Sequence, residues 1–392
     1  MSLHNNRIAA LQEKLQESKL DGVLYAPGAA FVYLLKANAF EWQRQSWTNI
    51  SALHTSGLSL MGLPEALLYV PADGEAAVLA TPRTAPRLEA AGVSSVQPVV
   101  FDRFYAALSR LVKGGTVGVG DLCEAYLTHL IGNVSKDIAV VPGEMLCAQL
   151  RTIKEPEEIV LLESAAELTD AAMAAILGEI RTGISAYEVE EFFTRFGLQS
   201  GASDLSFSPT CGVVKTGDPE AQAIDGRAKT QPIVPGCGIA FDLGYVLDGY
   251  CSDFGRSFYY GAPPPHCANA YAALQAGQVH MIENIRPYET SINELYGFVK
   301  AAVEAHGFAE WLRFPDTGSL GHQIGVDCHE HPMLNNATDF ILRPGMVFAS
   351  EPKIWLPGDM YMRVEDMILV TDIGARSLTK FSRVQFELEV RD

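Results

Sequence analysis

Gly238–Phe258, which reads GIAFDLGYVLDGYCSDFGRSF, is the stretch that decides the fold of the second half of the chain. Two strand-like runs flank Asp248-Gly249, a dipeptide that favours the tight turn of a β-hairpin. If the turn centres near positions 247 and 248, Asp242 and Asp253 are equidistant from it and face each other, with Cβ atoms about 5 Å apart. Like charges in that arrangement destabilise a sheet unless a cation lies between them. The stretch therefore predicts a hairpin that carries a cation site.

A second pair of carboxylates shows the same spacing further along the chain. Glu351 and Glu365 are equidistant from Gly358, and Pro357-Gly358-Asp359 is a turn signal. Both flanks are apolar and strand-like, so the two acids are expected to be buried rather than solvated. Two pairs of opposed, buried carboxylates are hard to explain without bound cations.

The segment between the two hairpins, GHQIGVDCHEHP, supplies histidines. His322 is closely flanked by glycines, and His329 and His331 follow it. Four carboxylates and one imidazole suit two divalent ions, with Mn²⁺ as the first choice and Co²⁺, Fe²⁺ or Zn²⁺ as alternatives. Two metals about 3.5–4 Å apart can hold a hydroxide between them and polarise a carbonyl. The pattern predicts a metal-dependent hydrolase with these ligands: Asp242, Asp253, His322, Glu351 and Glu365.

Composition narrows the classes of protein and of partner. With 392 residues the chain is long enough for two domains, and its apolar content of 48% supports large cores. A net charge of −18 argues against a nucleic-acid partner. The sequence has no run of about 18 apolar residues, so no membrane span is predicted. The seven cysteines are an odd number without a CxxC pair, which indicates free thiols and a cytoplasmic location.

The first part of the chain alternates helical and strand-like patterns. Residues 6–20 have helical apolar spacing, and strand-like runs follow at 22–25, 66–70, 76–79 and 117–119. This alternation predicts an α/β domain over residues 1–150.

The pattern changes at Arg151–Pro156. A long helix is predicted over 157–181, because Pro156 suits the first turn of a helix. Capping boxes at Ser185–Glu188 and Ser291–Glu294 predict two further helix starts. The stretches 238–260 and 316–390 are rich in strands. The second domain, 151–392, is therefore predicted to be α+β, with helices on one side of a largely antiparallel sheet.

At these motifs the sequence resembles metallopeptidase family M24, which includes aminopeptidase P and prolidase and whose fold is shared by the non-metal enzyme creatinase. The matching stretches are, in order, LRTIKEPEEI, FDLGYVLDGYCSDFGRSF, GHQIGVDCHEHP, GMVFASEPK and MRVEDMILVT. The resemblance implies a C-terminal catalytic domain with the pita-bread fold over 151–392. It also implies that residues 1–150 form an α/β creatinase-like domain.

The resemblance also implies roles for the ligands. Asp242 would bind one metal, Asp253 and Glu365 would bridge both, and His322 and Glu351 would complete the other. Glu351 would in addition orient and deprotonate the bridging water as a general base. His329 matches a histidine that stabilises the tetrahedral intermediate or the leaving group.

The expected substrate contacts depart from the family pattern. His331 and Arg363 are candidates, with a surface histidine and a plain ion pair as the respective alternatives. Family peptidases carry a substrate-contacting histidine some fifteen to twenty residues before the first metal aspartate, whereas here Asp225 lies near that point. Gly255 stands where a threonine is usual, and Gln323 stands in the middle of a glycine-rich motif.

Three functions are compatible with these features. The resemblance implies a metallopeptidase of the Xaa-Pro class, dipeptidase or aminopeptidase P-like, which cleaves short peptides by a metal-bridging hydroxide and forms a homodimer. The missing histidine favours instead a small-molecule enzyme on the same fold, either a creatinase-like C–N hydrolase or a dimethylsulfoniopropionate lyase. A non-catalytic binding protein is the third alternative, and the five retained ligands argue against it.

Overall fold

The computed structural model describes residues 5–42, 65–100, 103–120, 128, 131–132, 134–217 and 232–391. The chain divides into two compact units, Met1–Arg151 and Thr152–Asp392. In the part of the chain that is described, no helix has both the length and the apolar character needed to cross a membrane.

The first unit is built around a six-stranded mixed sheet. Its strands are β1 Gly22–Tyr25, β2 Ala66–Pro71, β3 Ala77–Ala80, β4 Val96–Pro98, β5 Gly115–Gly120 and β6 Ile138–Pro142, in the order β4-β3-β2-β1-β5-β6. Its described helices are α1 Asn6–Glu17, α2 Ala29–Leu35, α3 Ala85–Ala90, α4 Phe104–Leu111 and α5 Glu144–Arg151. β1 pairs antiparallel with β2 and parallel with β5. The predicted α/β class of this part of the chain agrees with this arrangement.

Helix α1 shows how the sequence sets these elements. The Asn5 side chain accepts hydrogen bonds from the first backbone N–H groups of the helix. Ile8, Leu11 and Leu15 recur at helical spacing and are fully buried. Periodicity alone extends the helix to residue 20, but it ends at Glu17, and Lys19 has a φ of 56°. This left-handed residue turns the chain into β1.

The second unit contains four long helices among its described residues. They are α6 Pro156–Glu179, α7 Ala186–Gln199, α8 Pro265–Asn284 and α9 Leu295–Ala305, with 3₁₀ turns at Ile292–Glu294 and Ala309–Trp311. α6 matches the helix predicted for residues 157–181. Both predicted capping boxes are confirmed, and the box at Ser291 opens the 3₁₀ turn that leads into α9.

The strands of this unit form several sheets. They are β7 Asp204–Leu205, β8 Thr210–Lys215, β9 Cys237–Leu243, β10 Tyr245–Leu247, β11 Tyr250–Cys251, β12 Phe254–Tyr260, β13 Gly321–Gln323, β14 Glu330–Leu334, β15 Val347–Ser350, β16 Lys353–Leu356, β17 Met360–Arg363, β18 Asp366–Val370, β19 Ala375–Ser377 and β20 Glu387–Leu388. The two largest sheets have the orders β20-β12-β9-β8 and β14-β13-β15-β18-β19. The pairing is antiparallel throughout these two sheets except between β12 and β20.

Helices and mostly antiparallel strands make up this unit, in agreement with the predicted α+β class, and they pack in two hydrophobic cores. One core joins α6 and α7 to β8, β9 and β12, with Phe193, Phe241 and Phe258 at its centre. The other joins α8 and α9 to β13, β15 and β16–β18. Each helix pair covers its own group of strands. A sequence pattern shows that a strand is half-buried, but not which of two helix pairs covers it.

The first hairpin has a different register from the predicted one. Asp248 and Gly249 have φ values of 48° and 81° and form the two central residues of the turn, so it centres one residue later than expected. Asp242 consequently lies opposite Gly255, not opposite Asp253. Asp253 falls on the diagonal position, two residues from the direct partner. The direct opposition of Asp242 and Asp253 is therefore wrong.

The second hairpin has the predicted register. Lys353 pairs with Arg363 and Leu356 with Met360, which centres the turn on Gly358. The backbone N–H of Val364 donates to the carbonyl of Pro352 at 3.3 Å, which continues this register toward Glu351 and Glu365.

Candidate metal centre

Three carboxylates converge where the two hairpins meet. Asp242 is the penultimate residue of β9, Asp253 precedes β12, and Glu365 forms an isolated β-bridge with Gly255. One carboxylate oxygen from each acid lies within 4.8 Å of the others. Asp253 and Glu365 are buried and Asp242 is half-buried. The bridge to Gly255 places Glu365 beside the first hairpin, although it lies far from it in sequence.

Burial and mutual repulsion make this cluster electrostatically unfavourable by itself. Burial raises the pKa of Asp242 to about 6, because the opposing charge of Arg363 does not outweigh burial and the charges of Asp253 and Glu351. Burial also raises the pKa of Glu365 well above its usual value, with the charge of Asp253 as the next cause. Both shifts disfavour the ionised acids, so a cation among these oxygens would relieve the repulsion.

The cluster fits a divalent metal. The Oδ1 atoms of Asp242 and Asp253 are buried and have no hydrogen-bond partner among the described residues. Buried polar atoms are nearly always paired, so such oxygens need an explanation, and a coordinated ion supplies one. Carboxylate oxygens with a nearby imidazole form a donor set suited to Mn²⁺, Fe²⁺, Co²⁺ or Zn²⁺.

His322 on β13 presents Nε2 to this cluster. Its Nδ1 lies 3.0 Å from the carbonyl oxygen of Gln323, so Nδ1–H donates there and Nε2 faces the carboxylates. Nε2 lies 3.3 Å from Oδ2 of Asp253. Burial lowers the pKa of His322, but the hydrogen bond and charge of Asp253 outweigh it, so the net shift is upward.

Glycine before His322 is a steric requirement. Gly321 has a φ of 137°, and a Cβ atom there would lie 2.0 Å from the carbonyl oxygen of Ala349. β13 can pair with β15 at this point only without a side chain. The glycine noted in the sequence therefore brings the imidazole close to the sheet that carries Glu351.

Glu351 lies at the rim of the cluster between two cations. Its Oε2 forms ion pairs with Lys353 and, at 3.6 Å, with Arg363. Burial alone would raise the pKa of Glu351, but the charges of Arg363 and Lys353 outweigh burial and lower it. The sequence interpretation missed Lys353. Its position two residues after Glu351 in a strand-like stretch of sequence was a usable signal, because alternate residues of an extended segment share a face.

Arg363 contacts two of the proposed ligand carboxylates. Its Nη1 forms ion pairs with Asp242 and, at 3.0 Å, with Oε2 of Glu365. The side chain is only 11% exposed. Arg363 thus forms ion pairs with two of the proposed ligands, and its contact with substrate stays a prediction.

The two other histidines lie at different distances from the cluster. The ring of His329 is 4.1 Å from that of His322, centroid to centroid, while the residue remains exposed. Partial loss of water and the neighbouring His322 lower the pKa of His329. His331 is exposed on β14 and lies outside the carboxylate cluster. Asp225 lies outside the described residues.

A buried ion pair supports the loop that carries the histidines. Lys154 Nζ lies 3.0 Å from Oε2 of Glu330, and both side chains are 1% exposed. The same Nζ donates to Oε1 of Gln323 at 3.4 Å. Gln323 and Glu330 each directly follow a histidine of the site. This explains the unusual Gln323, whose side chain points toward Lys154.

Cys328 is a second residue that the sequence interpretation missed. It is buried, and its Sγ lies 3.6 Å from Oδ2 of Asp253. Burial raises the pKa of this thiol well above its usual value, so it stays protonated and donates to the carboxylate. Only its place directly before His329 hinted at this contact.

A second buried network holds the backbone of Glu365. Arg256 is fully buried, and its Nη1 donates to the backbone carbonyl of Glu365. Its Nη2 lies 2.6 Å from Oδ1 of Asp366. Arg383 Nε and Gln278 Nε2 donate to the other oxygen of Asp366 at 2.8 and 3.1 Å. Burial would raise the pKa of Asp366, but the two arginines lower it to about 2, so the acid stays ionised.

Gly255 leaves room for two of these side chains, which explains its departure from the family's threonine. A Cβ atom at Gly255 would lie 2.3 Å from Cδ of Arg363 and 2.7 Å from Oε2 of Glu365. We expect Gly255→Ala to lower the free energy of unfolding by about 1–3 kcal/mol, because both side chains must shift. Thermal unfolding measures this loss.

Gly297→Ala serves as the control for this substitution. Gly297 lies in α9, where a Cβ atom would meet open space. We expect this change to raise stability by about 0.5–1 kcal/mol, as alanine usually does at a helical glycine. Equal, small effects of the two substitutions would contradict the steric role of Gly255.

Comparison with known proteins places the site in a family. Residues 160–372 match the family model described as metallopeptidase family M24. The putative dipeptidase YkvY of Bacillus subtilis is 33% identical over 243 residues, which cover 62% of this chain and 64% of that protein. An Xaa-Pro dipeptidase of Pyrococcus horikoshii is 27% identical over 388 residues, covering 98% of this chain and 99% of that protein.

Solved structures show the same fold. The structure of an Xaa-Pro dipeptidase from Bacillus anthracis superposes with a TM-score of 0.82 at 23% sequence identity, covering 98% of this chain and 99% of that chain. The family model covers more than half of the chain and includes the three converging carboxylates together with His322 and Glu351. The chain therefore belongs to metallopeptidase family M24.

Proposed function

We propose that the protein is an Xaa-Pro dipeptidase that hydrolyses short peptides with two divalent metal ions. Mn²⁺ is the first choice for these ions. The observation that carries the proposal is the convergence of Asp242, Asp253 and Glu365, in which each aspartate has a buried oxygen without a partner in the described part of the chain. His322 and Glu351 border this cluster and complete the five proposed ligands. Relatives named Xaa-Pro dipeptidase support the choice of substrate.

The side chains around the cluster suit peptide hydrolysis. Bound ions would supply an activated water and polarise the scissile carbonyl. The lowered pKa of Glu351 keeps its carboxylate ionised near neutral pH, the state that a proton acceptor requires. The lowered pKa of His329 favours the neutral imidazole. His329 is exposed beside His322, so its neutral ring can donate a hydrogen bond to the substrate oxygen on which negative charge develops.

The remaining expectations belong to the same proposal. Residues 1–150 would form the creatinase-like domain and residues 151–392 the catalytic domain. We also propose a homodimer, on the resemblance to the family, and a cytoplasmic location. The six described cysteines, which are all free, support the location. His331, Arg363 and Asp225 stay predicted substrate contacts.

The first test is hydrolysis by metal-stripped protein that is reloaded with Mn²⁺, Co²⁺, Fe²⁺ or Zn²⁺ separately. We expect cleavage of Ala-Pro, weaker or no cleavage of Ala-Ala, and no cleavage by the metal-free protein. Metal content per chain should be measured on the same samples by elemental analysis. The expected stoichiometry is two ions.

Two other outcomes would reject the proposal in different directions. Two bound ions without cleavage of any peptide would favour a small-molecule enzyme, such as a creatinase-like C–N hydrolase or a dimethylsulfoniopropionate lyase. Failure to bind any of the four metals would favour a non-catalytic binding protein.

A further inference from the structure

The loop between β13 and β14, residues 324–329, folds around one buried carboxylate. This carboxylate belongs to Glu330, the first residue of β14, whose side chain is 1% exposed. Its Oε1 accepts a hydrogen bond from the backbone N–H of Asp327 at 3.3 Å. A Cβ atom at Gly325 would lie 2.7 Å from Oε2, so glycine allows the loop to pass this close. The carboxylate of Glu330 therefore helps to set the path of the loop.

A lysine holds this carboxylate from outside the loop. Lys154 Nζ lies 3.0 Å from Oε2 of Glu330, and the lysine side chain is also 1% exposed. The backbone N–H of Lys154 donates to the carbonyl of Gly345 at 2.8 Å, which anchors the residue just before α6. Nζ also donates to Oε1 of Gln323, the last residue of β13. One ammonium thus contacts the residues at both ends of the loop.

A buried pair of this kind adds little to stability by itself. The cost of removing both charges from water offsets most of their attraction, and apolar residues of similar volume often stabilise a protein as well. Such a pair can instead favour a single conformation, because moving either charge leaves the other buried without this partner. A fixed conformation matters most next to a functional side chain, and His329 directly precedes Glu330.

The two histidines of the site depend on this loop to different degrees. His322 lies within β13, which pairs with β14 on one side and with β15 on the other. His329 lies at the end of the loop, outside the strands, and is exposed. Its ring centroid is nevertheless 4.1 Å from that of His322. Keeping an exposed loop side chain at that place requires a fixed backbone, which the adjacent Glu330 can provide.

We propose that Lys154 is a positioning residue, which acts through Glu330 to hold His329 beside the metal centre. This inference rests on the proposed function, in which His329 stabilises the oxygen that becomes negatively charged. A displacement of about 1 Å can remove most of the effect of such a group, because its hydrogen bond must match the transition state. Lys154 then contributes to turnover without being a catalytic residue.

The test uses the double variant Lys154→Met/Glu330→Gln, loaded with Mn²⁺ and assayed on Ala-Pro. Lys154→Met alone leaves a buried carboxylate without its lysine and can unfold the chain, whereas the double variant buries neither charge. We expect kcat to fall about 10- to 100-fold, with KM and metal content close to those of the wild type. A wild-type kcat in the folded double variant would overturn the inference. Loss of bound metal would also overturn it, because the pair would then support the ligands.

A double-mutant cycle with His329→Ala tests whether the pair acts through this histidine. In that background the two substitutions should change kcat by less than about two-fold, since the group that they displace is already gone. Equal losses with and without His329 would indicate a general structural role and overturn the inference. Lys380→Met is the matched control, because Lys380 is 66% exposed and pairs with Glu167 on the surface. Its kcat should stay at the wild-type level.

Hydrogen exchange separates this inference from the proposed function, because it requires no substrate. In the metal-loaded double variant we expect the amides of residues 324–330 to exchange at least about ten-fold faster than in the wild type. The amides of β15 and the whole Lys380→Met variant should exchange as in the wild type. Faster exchange in the loop, without hydrolysis of any peptide by the wild type, would reject the peptidase and keep the positioning of the loop by Lys154. Unchanged exchange in the loop would reject the inference even if the wild type cleaves Ala-Pro.

Discussion

Asp253→Asn is expected to abolish metal-dependent hydrolysis, with a loss of at least about three orders of magnitude in kcat/KM. Asp253 lies within reach of Asp242 and Glu365, and its Oδ2 is 3.3 Å from His322. It is the acid that connects the carboxylate cluster with the imidazole. Asparagine keeps the shape of the side chain but offers one weak oxygen ligand, so metal content should fall below two ions per chain.

Asp248→Asn provides the matched control for this prediction. It makes the same chemical change in the same hairpin, five residues away at the turn. Asp248 has a φ of 48°, a conformation that asparagine adopts readily. Activity and metal content should therefore stay at the wild-type level. If Asp253→Asn also kept both, the cluster would not be the metal centre.

Arg256→Met is expected to cause the largest loss of stability, about 3–5 kcal/mol in the free energy of unfolding. The substitution keeps much of the apolar stem but leaves Asp366 with one arginine fewer at a fully buried site. It also removes the hydrogen bond to the backbone carbonyl of Glu365. Denaturant unfolding of the metal-free protein measures the loss without the contribution of bound ions.

The control for Arg256→Met is Arg376→Met. Arg376 pairs with Glu163 at the surface, where the side chains are 45% and 34% exposed. An ion pair in water contributes at most about 1 kcal/mol, so this variant should unfold almost as the wild type does. A similarly small effect of Arg256→Met would show that the buried network adds nothing to stability.

The hairpins show both how far the sequence leads and where it stops. In the second hairpin, the equal spacing of Glu351 and Glu365 from Gly358 predicts a turn centred on this glycine. The pairing of Lys353 with Arg363 agrees with that centre. In the first hairpin the same reasoning placed the turn one residue too early. Asp248 and Gly249 both have positive φ and therefore occupy the two central positions of the turn. Compared with the predicted register, each residue then pairs with a partner two residues further along the opposite strand.

The approach of Glu365 to Gly255 could not be predicted from the sequence. It depends on an isolated bridge between distant segments, for which no local pattern exists. The acids that converge were nevertheless recognisable as candidate ligands, because buried acids in apolar strands need a cation wherever the strands meet. The contacts of Lys353 and Cys328 depend on side-chain directions around the cluster. Only the strand alternation of Lys353 offered a partial signal.

The wide separation of the ligands along the chain has a consequence for the lifetime of the protein. Asp242 and Glu365 are roughly 120 residues apart, so the site exists only when the segments between them are folded. An ion that binds only the folded chain stabilises it by about 2.7 kcal/mol when its concentration is a hundred times the Kd. Metal starvation is thus expected to speed proteolysis of the protein, and metal supply would set its abundance as well as its activity.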